Sequence, residues 1–134
     1  MGLAPLGFWP ITIISISVLF YKLINQSTRK AFLNSVIYGF GLFLSGASWI
    51  YVSIHEYGFI AAPLALIVTI IFCFGFAIIF ASPYLLIGYL PKTQWTLILS
   101  FPSLWVVSEW VRSWALTGFP WLYAGYSHTD TWLS

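Results

Sequence analysis

The spacing of the charged side chains limits the possible folds of this chain more than any other feature. Five basic and three acidic residues leave four long uncharged stretches, which are residues 1–21, 31–54, 57–91 and 93–108. A helix needs about 20 mainly apolar residues to cross the roughly 30 Å hydrocarbon core of a bilayer. The stretches therefore predict an all-α integral membrane protein with about four transmembrane helices.

The composition excludes other broad classes of protein. Of the 134 residues, 60% are hydrophobic and 6% are charged, whereas about 25% of residues in soluble domains are charged. Such a chain is too apolar for a small soluble domain or for a disordered segment. The net charge of +2 comes from cations spread along the sequence, so we expect no nucleic-acid partner.

The third uncharged stretch is too long for one straight crossing. We place a single tilted helix there, because proline suits a first helical turn and Pro63 lies near its start. Pro83 predicts a kink towards its end. The expected spans are about residues 4–21, 31–54, 63–90 and 94–114.

Small residues spaced four apart in the second span predict close packing against another helix. They are Ser35, Gly39, Gly41 and Ser45. Such pairs are frequent in membrane helices, so they indicate packing and specify no function.

The basic residues orient the predicted spans. Before the last span, all of them lie in residues 22–30 or at Lys92, whereas residues 55–58 contain no Lys or Arg. By the positive-inside rule the two basic loops are cytoplasmic, which leaves both ends of the chain outside. Residues 1–10 lack the features of a signal peptide. We therefore expect a further helix upstream.

Glu109 and Arg112 are the first candidates for a site. They lie three residues apart near the end of the fourth span, so a helix places them on one face. Ionisable residues within a membrane segment are costly and commonly functional. Two interpretations stay open. The pair either positions the helix at the outer interface, or it forms a site in which Arg112 holds a lipid phosphate and Glu109 orients it.

Residues 115–134, called the arm below, predict an aromatic segment at the outer face of the membrane. Gly118 permits unusual dihedral angles, and the residue before Pro120 is biased towards an extended conformation. The arm therefore ends the helix and redirects the chain. It reads either as an interfacial anchor or as a lipid-binding segment. The binding candidates within it are Phe119, Pro120, Trp121 and Tyr126.

Other reactive residue types give weak signals. His55 and Glu56 are adjacent and suit an exposed loop, while His128 and Asp130 lack a third partner for a metal ion. Cys73 lies among apolar residues with no base or cation beside it in the sequence, which favours a small core residue over a nucleophile. We expect no metal site and no cofactor.

Residues 101–127 carry the most specific motif, FPSLWVVSEWVRSWALTGFPWLYAGYS. This stretch resembles the membrane domain of bacterial apolipoprotein N-acyltransferases. Weaker similarities to that family lie in residues 39–53 and 4–10. One departure is His128, where glutamine is expected. The matching positions are Pro102, Leu104, Trp105, Glu109, Arg112, residues 117–121 and residues 125–127.

The resemblance implies an enzyme of the bacterial inner membrane that matures lipoproteins. In that family an acyl chain passes from a phospholipid to the N-terminal diacylglyceryl cysteine of an apolipoprotein, by way of a thioester. The nucleophile belongs to a Glu-Lys-Cys triad in a periplasmic nitrilase-like domain. No part of that triad matches this chain, and Cys73 does not match the nucleophile. We therefore expect an inactive fragment without a catalytic residue and without the nitrilase-like domain.

Two interpretations of function follow. In the first, the chain is the N-terminal membrane part of such an acyltransferase, and Glu109, Arg112 and the arm form a lateral gate for lipid. Its partners are then a phospholipid acyl donor, an apolipoprotein acceptor and membrane lipid. In the second, the chain is a stand-alone helical membrane scaffold or binding subunit without catalysis. A transporter is less well supported, because the first three spans contain no charged residues at their centres.

Overall fold

The computed structural model describes residues 9–24, 26–91, 93–115, 118 and 122–123. All regular structure within these residues is helical, which confirms the predicted all-α class. The helices are α1 (Trp9–Leu23), α2 (Thr28–Gly46), α3 (Trp49–Val52), α4 (Ala62–Ala81) and α5 (Gln94–Trp114). A π-helical turn (Ser53–Tyr57) extends α3, and a 3₁₀ segment (Ser82–Tyr89) extends α4.

Local sequence signals explain several helix boundaries. Pro63 lies in the first turn of α4, as predicted, where its missing N–H costs no helical hydrogen bond. The change from α to 3₁₀ geometry falls at Pro83, the position of the predicted kink. Thr93 caps α5, since its hydroxyl accepts a hydrogen bond from the backbone N–H of Thr96 at 3.2 Å. These residues set where the long helices begin and change course.

The structure differs from the sequence prediction between residues 46 and 58. The expected unbroken helix over residues 31–54 bends by 51° between α2 and α3. His55 and Glu56 lie in the π-helical turn and not in a loop, because the chain stays helical through an N–H···O bond from Gly58 to Ser53 of 3.1 Å. Neither the bend nor the wider helical turn has a periodicity that could be seen in the sequence.

The core forms where α2, α4 and α5 meet. α2 and α4 pack antiparallel, because the segment after α4 returns to the start of α2, where Gly88 lies against Thr28. Gly39, near the middle of α2, lies against Ala77 and Phe80 in the last turns of α4. At this contact a Cβ atom on residue 39 would lie 3.2 Å from the Cα atom of Ala77. Phe80 then packs its ring edge-on against Trp105 of α5, with centroids 5.3 Å apart. The close approach predicted from the small residues is therefore present at Gly39.

Membrane-spanning character is clear for one helix of the described residues. The continuous helix Ala62–Tyr89 is long and apolar enough to cross a bilayer, and α2 with the bent segment after it passes the same test if the two are counted together. The outward side of α4 exposes large apolar side chains, a surface suited to lipid contact. These are Leu64, Leu66, Ile67, Val68, Ile70, Ile71, Phe74 and Ile78.

The Gly39 contact generates a stability prediction. We expect Gly39→Leu to destabilise the bundle by about 1–3 kcal/mol, the usual cost of overpacking a closely packed contact. Gly41→Leu is the matched control on the same helix, because a Cβ atom there meets nothing within 4 Å among the described residues. Thermal unfolding in detergent, followed by circular dichroism, measures the difference. Equal melting temperatures for the two variants would contradict a close α2–α4 contact at Gly39.

Candidate functional site

α5 places a cation inside the bundle. Its buried side chains recur at three- and four-residue intervals, which is the pattern of a helix with one face against the core. They are Phe101, Leu104, Trp105, Ser108 and Arg112. Arg112 is the last of this series, and only 1% of its surface is exposed. A charged residue thus occupies a core position near the end of the helix.

Arg112 lies between aromatic rings from two parts of the chain. Its guanidinium carbon is 5.2 Å from the ring centroid of Phe43 on α2 and 5.0 Å from that of Tyr123 in the arm. Both distances fall within the range of cation–π attraction, which is stronger when the cation is removed from water. The two rings therefore replace part of the hydration that Arg112 loses on burial.

The hydrogen-bonding capacity of Arg112 is only partly used by the described residues. Its Nη2 donates to the backbone oxygen of Leu122 at 3.4 Å. Nε and Nη1 are buried and have no hydrogen-bond partner among those residues. Unpaired donors on a buried charged group are costly. The site therefore has unused donors with the geometry that phosphate and carboxylate oxygens accept.

Glu109 lies one helical turn before Arg112. Its Oε1 accepts a hydrogen bond of 3.0 Å from the indole N–H of Trp105, and its carboxylate interacts electrostatically with the guanidinium of Arg112. The Trp105 ring is itself fixed by edge-on contacts with Phe80 and Tyr38. The aromatic core thus orients the carboxylate next to the cation.

The described part of the arm packs back onto the bundle. Gly118 has a φ of +86°, which confirms the unusual dihedral angle predicted there. Leu122 has a φ of +64°, a left-handed conformation that is uncommon for a residue other than glycine. Its side chain contacts Gly46 at the end of α2 so closely that a Cβ atom on residue 46 would lie 2.6 Å from Cδ1 of Leu122.

The structure brings together some of the predicted site residues. Glu109 and Arg112 lie in one cluster, and Phe43, Gly46 and Leu122 join it from distant points of the sequence. The sequence prediction missed these three residues as site components, although Phe43 and Gly46 lie within residues 39–53, which resemble the family. The remaining binding candidates lie outside the described residues, as do His128 and Asp130. Those candidates are Phe119, Pro120, Trp121 and Tyr126.

The other reactive groups stay apart from this cluster. Cys73 is buried in α4 as a free thiol. The Nδ1 atom of His55 lies 2.8 Å from the backbone oxygen of Ile60, and its ring stacks on Tyr51. Within the described residues, no group of three His, Cys, Asp or Glu side chains is placed to hold a metal ion.

Comparison with known proteins identifies relatives over the whole chain. A family model described as the apolipoprotein N-acyltransferase N-terminal domain matches residues 1–134. Curated relatives named apolipoprotein N-acyltransferase include one from Pseudomonas syringae pv. tomato, 42% identical over 97% of this chain and 26% of its own length. Another, from Pseudomonas paraeruginosa, is 46% identical over 95% of this chain and 25% of the relative. A third, from Coxiella burnetii, is 37% identical over 98% of this chain and 28% of the relative. The chain thus spans about a quarter of the length of these curated relatives.

The Trp105–Glu109 hydrogen bond generates a second stability prediction. We expect Trp105→Phe to lower stability by about 1.5–3 kcal/mol, the range for hydrogen bonds to charged groups, because the Glu109 carboxylate loses a buried donor. Trp110→Phe is the matched control, since Trp110 lies on the exposed side of the same helix. Thermal unfolding in detergent compares the two variants, and an unchanged melting temperature for Trp105→Phe would rule out this support of Glu109.

Proposed function

The chain belongs to the apolipoprotein N-acyltransferase family as its N-terminal domain, and on this basis we propose that it forms the membrane portion of a lipoprotein-maturing acyltransferase. The whole enzyme transfers a phospholipid acyl chain to the N-terminal diacylglyceryl cysteine of apolipoproteins. We infer that the family's Glu-Lys-Cys triad lies outside these residues, and we propose that the part of this chain is to bind and guide lipid. The fragment alone is then inactive.

The buried Arg112 is the observation that carries the role in lipid binding. A guanidinium that is 1% exposed, with Nε and Nη1 unpartnered among the described residues, offers donors to an oxyanion. A phospholipid acyl donor carries such a group in its headgroup, and arginine binds phosphate through charge-assisted hydrogen bonds. In this proposal Arg112 holds the phosphate and Glu109 orients the guanidinium.

Exposed aromatic residues support a placement across the membrane. Tyr57 and Trp114 lie exposed towards the Arg112 end of the bundle, and Tyr21, Tyr89 and Trp95 lie exposed at the other end. Tyrosine and tryptophan favour the two membrane–water interfaces. We propose four crossings of the bacterial inner membrane, with α1, α2 to the π-helical turn, α4 with its 3₁₀ segment, and α5. The basic residues at the Tyr21 end put that end in the cytoplasm and the arm in the periplasm.

We propose that the arm and the Glu109–Arg112 pair form a lateral gate for lipid. The arm follows α5 directly and returns over its end at Leu122 and Tyr123. The binding candidates of the arm would contact the acyl chain or the headgroup of a lipid that enters from the outer leaflet. They are Phe119, Pro120, Trp121 and Tyr126.

The topology makes one prediction. In intact cells, a membrane-impermeant maleimide should label a cysteine introduced at Tyr57 and should fail to label one introduced at Arg29, because the two positions lie at opposite ends of α2 with its bent extension. Labelling of Arg29→Cys after permeabilisation is the control for reactivity. Labelling of both positions in intact cells would contradict the proposed four crossings.

The gate makes a second prediction, on activity. In the natural-length protein, Glu109→Ala and Trp121→Ala should each lower apolipoprotein acylation by about tenfold to a hundredfold, because misplaced substrate reacts slowly. The measurement is the rate of acyl transfer from phospholipid to a diacylglyceryl peptide at equal protein level. Glu56→Ala and Trp95→Ala are the matched controls, since Glu56 is an exposed acidic residue outside the Arg112 cluster and Trp95 is exposed at the opposite end of α5. Full activity in both gate variants would refute the gate, and absence of any acylation by the natural-length protein would favour the scaffold interpretation.

A further inference from the structure

We propose that Leu122 keeps the Arg112 site closed while its side chain packs against Gly46, a contact called the Gly46 seat below. When Leu122 leaves this seat, a phosphate oxygen replaces the Leu122 carbonyl as the acceptor at the guanidinium. The inference rests on the proposed function in taking phosphate as the ligand. It adds the step by which the site opens, and it assigns positioning roles to Gly46 and Leu122.

The closed state follows from burial. Arg112 is 1% exposed, so no ligand reaches its Nε and Nη1 atoms while its neighbours stay in place. Two neighbours come from the arm, the Leu122 carbonyl and the Tyr123 ring. Of the residues that the structure describes, a further neighbour, Phe43, is fixed inside the core, where its ring packs against Phe76 at 5.8 Å. The arm is therefore the side from which the site can open.

The seat of Leu122 exists only because residue 46 is glycine. A Cβ atom at this position would lie 2.6 Å from Cδ1 and 3.1 Å from Cγ of Leu122, and contacts under 3.0 Å force one of the atoms to move. Gly46 is also the last residue of α2, next to the 51° bend. A side chain at residue 46 therefore moves the end of the Leu122 side chain away from this seat.

The backbone of Leu122 favours release. A leucine at φ +64° is in the left-handed region, where L-residues with a Cβ are strained. Such a conformation persists only when surrounding contacts impose it. Among the described residues, those contacts include the Gly46 seat, packing against the buried core and a long hydrogen bond of 3.4 Å from Arg112 to the Leu122 carbonyl. Loss of one of these contacts weakens the restraint on this conformation.

Exchange of one acceptor for another links opening to ligand binding. A neutral carbonyl accepts one bond from Arg112, whereas a phosphate carries charge and several acceptor oxygens and can also engage the unpartnered nitrogens. The ligand therefore binds the open state better than the closed state, and a difference in affinity of this kind shifts the equilibrium between them. A lipid headgroup and free inorganic phosphate share this chemistry.

Hydrogen–deuterium exchange tests the proposal without measuring activity. The natural-length protein is placed in bilayers of digalactosyldiacylglycerol, which lacks phosphate, or of phosphatidylglycerol, and exchange is followed in the peptide that contains Leu122 and Tyr123. We expect exchange about five to thirty times faster in phosphatidylglycerol, the effect of a shift of one or two kcal/mol. Arg112→Gln should remove the dependence on lipid.

Addition of inorganic phosphate to the galactolipid sample identifies the source of the phosphate. Faster exchange in that sample indicates free phosphate, whereas faster exchange in phosphatidylglycerol alone indicates the lipid headgroup.

The seat is tested by variants of its two members. Gly46→Ala should give fast exchange in both lipids, while Gly41→Ala, where a Cβ atom meets nothing within 4 Å in the described part of the chain, should behave like the wild type. If Gly46→Ala does not fold, Leu122→Ala removes the seated side chain without adding an atom, with exposed Leu64→Ala as its control. Slow exchange in Gly46→Ala or Leu122→Ala would overturn the seat, and wild-type exchange that is the same in all samples would overturn the phosphate step. Because acylation is not measured, these outcomes are separate from those of the gate variants.

Discussion

The contact of Gly39 on α2 with Ala77 and Phe80 on α4 determines where the other parts of the bundle lie. It lets two helix backbones approach closely, and the Phe80 ring then fills the space towards α5 and meets Trp105 edge-on. Once Trp105 is fixed, the helical repeat of α5 turns Ser108 and Arg112 to the same side. Lipid chains are as apolar as the side chains that they compete with, so close packing of this kind is what holds helices together in a membrane. Because Gly39 carries only a hydrogen in place of a side chain, α2 and α4 approach closely, and this approach fixes where the buried Arg112 lies.

The contacts that compensate for the burial of Arg112 differ from those of an ion pair at the membrane interface. The cation gives up water for two aromatic rings, one carbonyl oxygen and a nearby carboxylate. Each of these contacts compensates for part of the lost hydration. None of them compensates as fully as an opposite charge in direct contact would. A guanidinium that is incompletely satisfied in the interior retains a strong preference for any oxyanion that reaches it. The same residue therefore contacts the arm and, among the described residues, keeps donors that an oxyanion could accept.

Much of the architecture was predictable from residues close together in the sequence. The uncharged stretches and Pro63 gave the bounds of α4 and α5, Pro83 marked the change of helical geometry, and the residue type at 118 gave the positive φ. The 51° bend after Gly46 and the π-helical turn were not predictable, because they depend on contacts and hydrogen bonds without a sequence period. The candidate site likewise has residues that the sequence predicts and residues that it does not. Glu109 and Arg112 were predictable from their charge and spacing. The partners of Arg112 were not, because Phe43 lies 69 positions away in the sequence and Leu122 and Tyr123 reach it from the arm.

The 3₁₀ segment after α4 has a consequence for the reach of that helix. A 3₁₀ helix rises about 2.0 Å per residue and an α-helix about 1.5 Å, so the segment Ser82–Tyr89 carries Tyr89 about 4 Å further along the axis than an α-helix of equal length. Its three-residue repeat also keeps Tyr84 and Ile87 on one narrow strip towards the bundle, with Leu85, Leu86 and Tyr89 facing outward. The continuous helix Ala62–Tyr89 is therefore longer and thinner over its 3₁₀ segment than an α-helix would be. With the same number of residues, it is long enough for a thicker hydrocarbon layer than an unbroken α-helix would be.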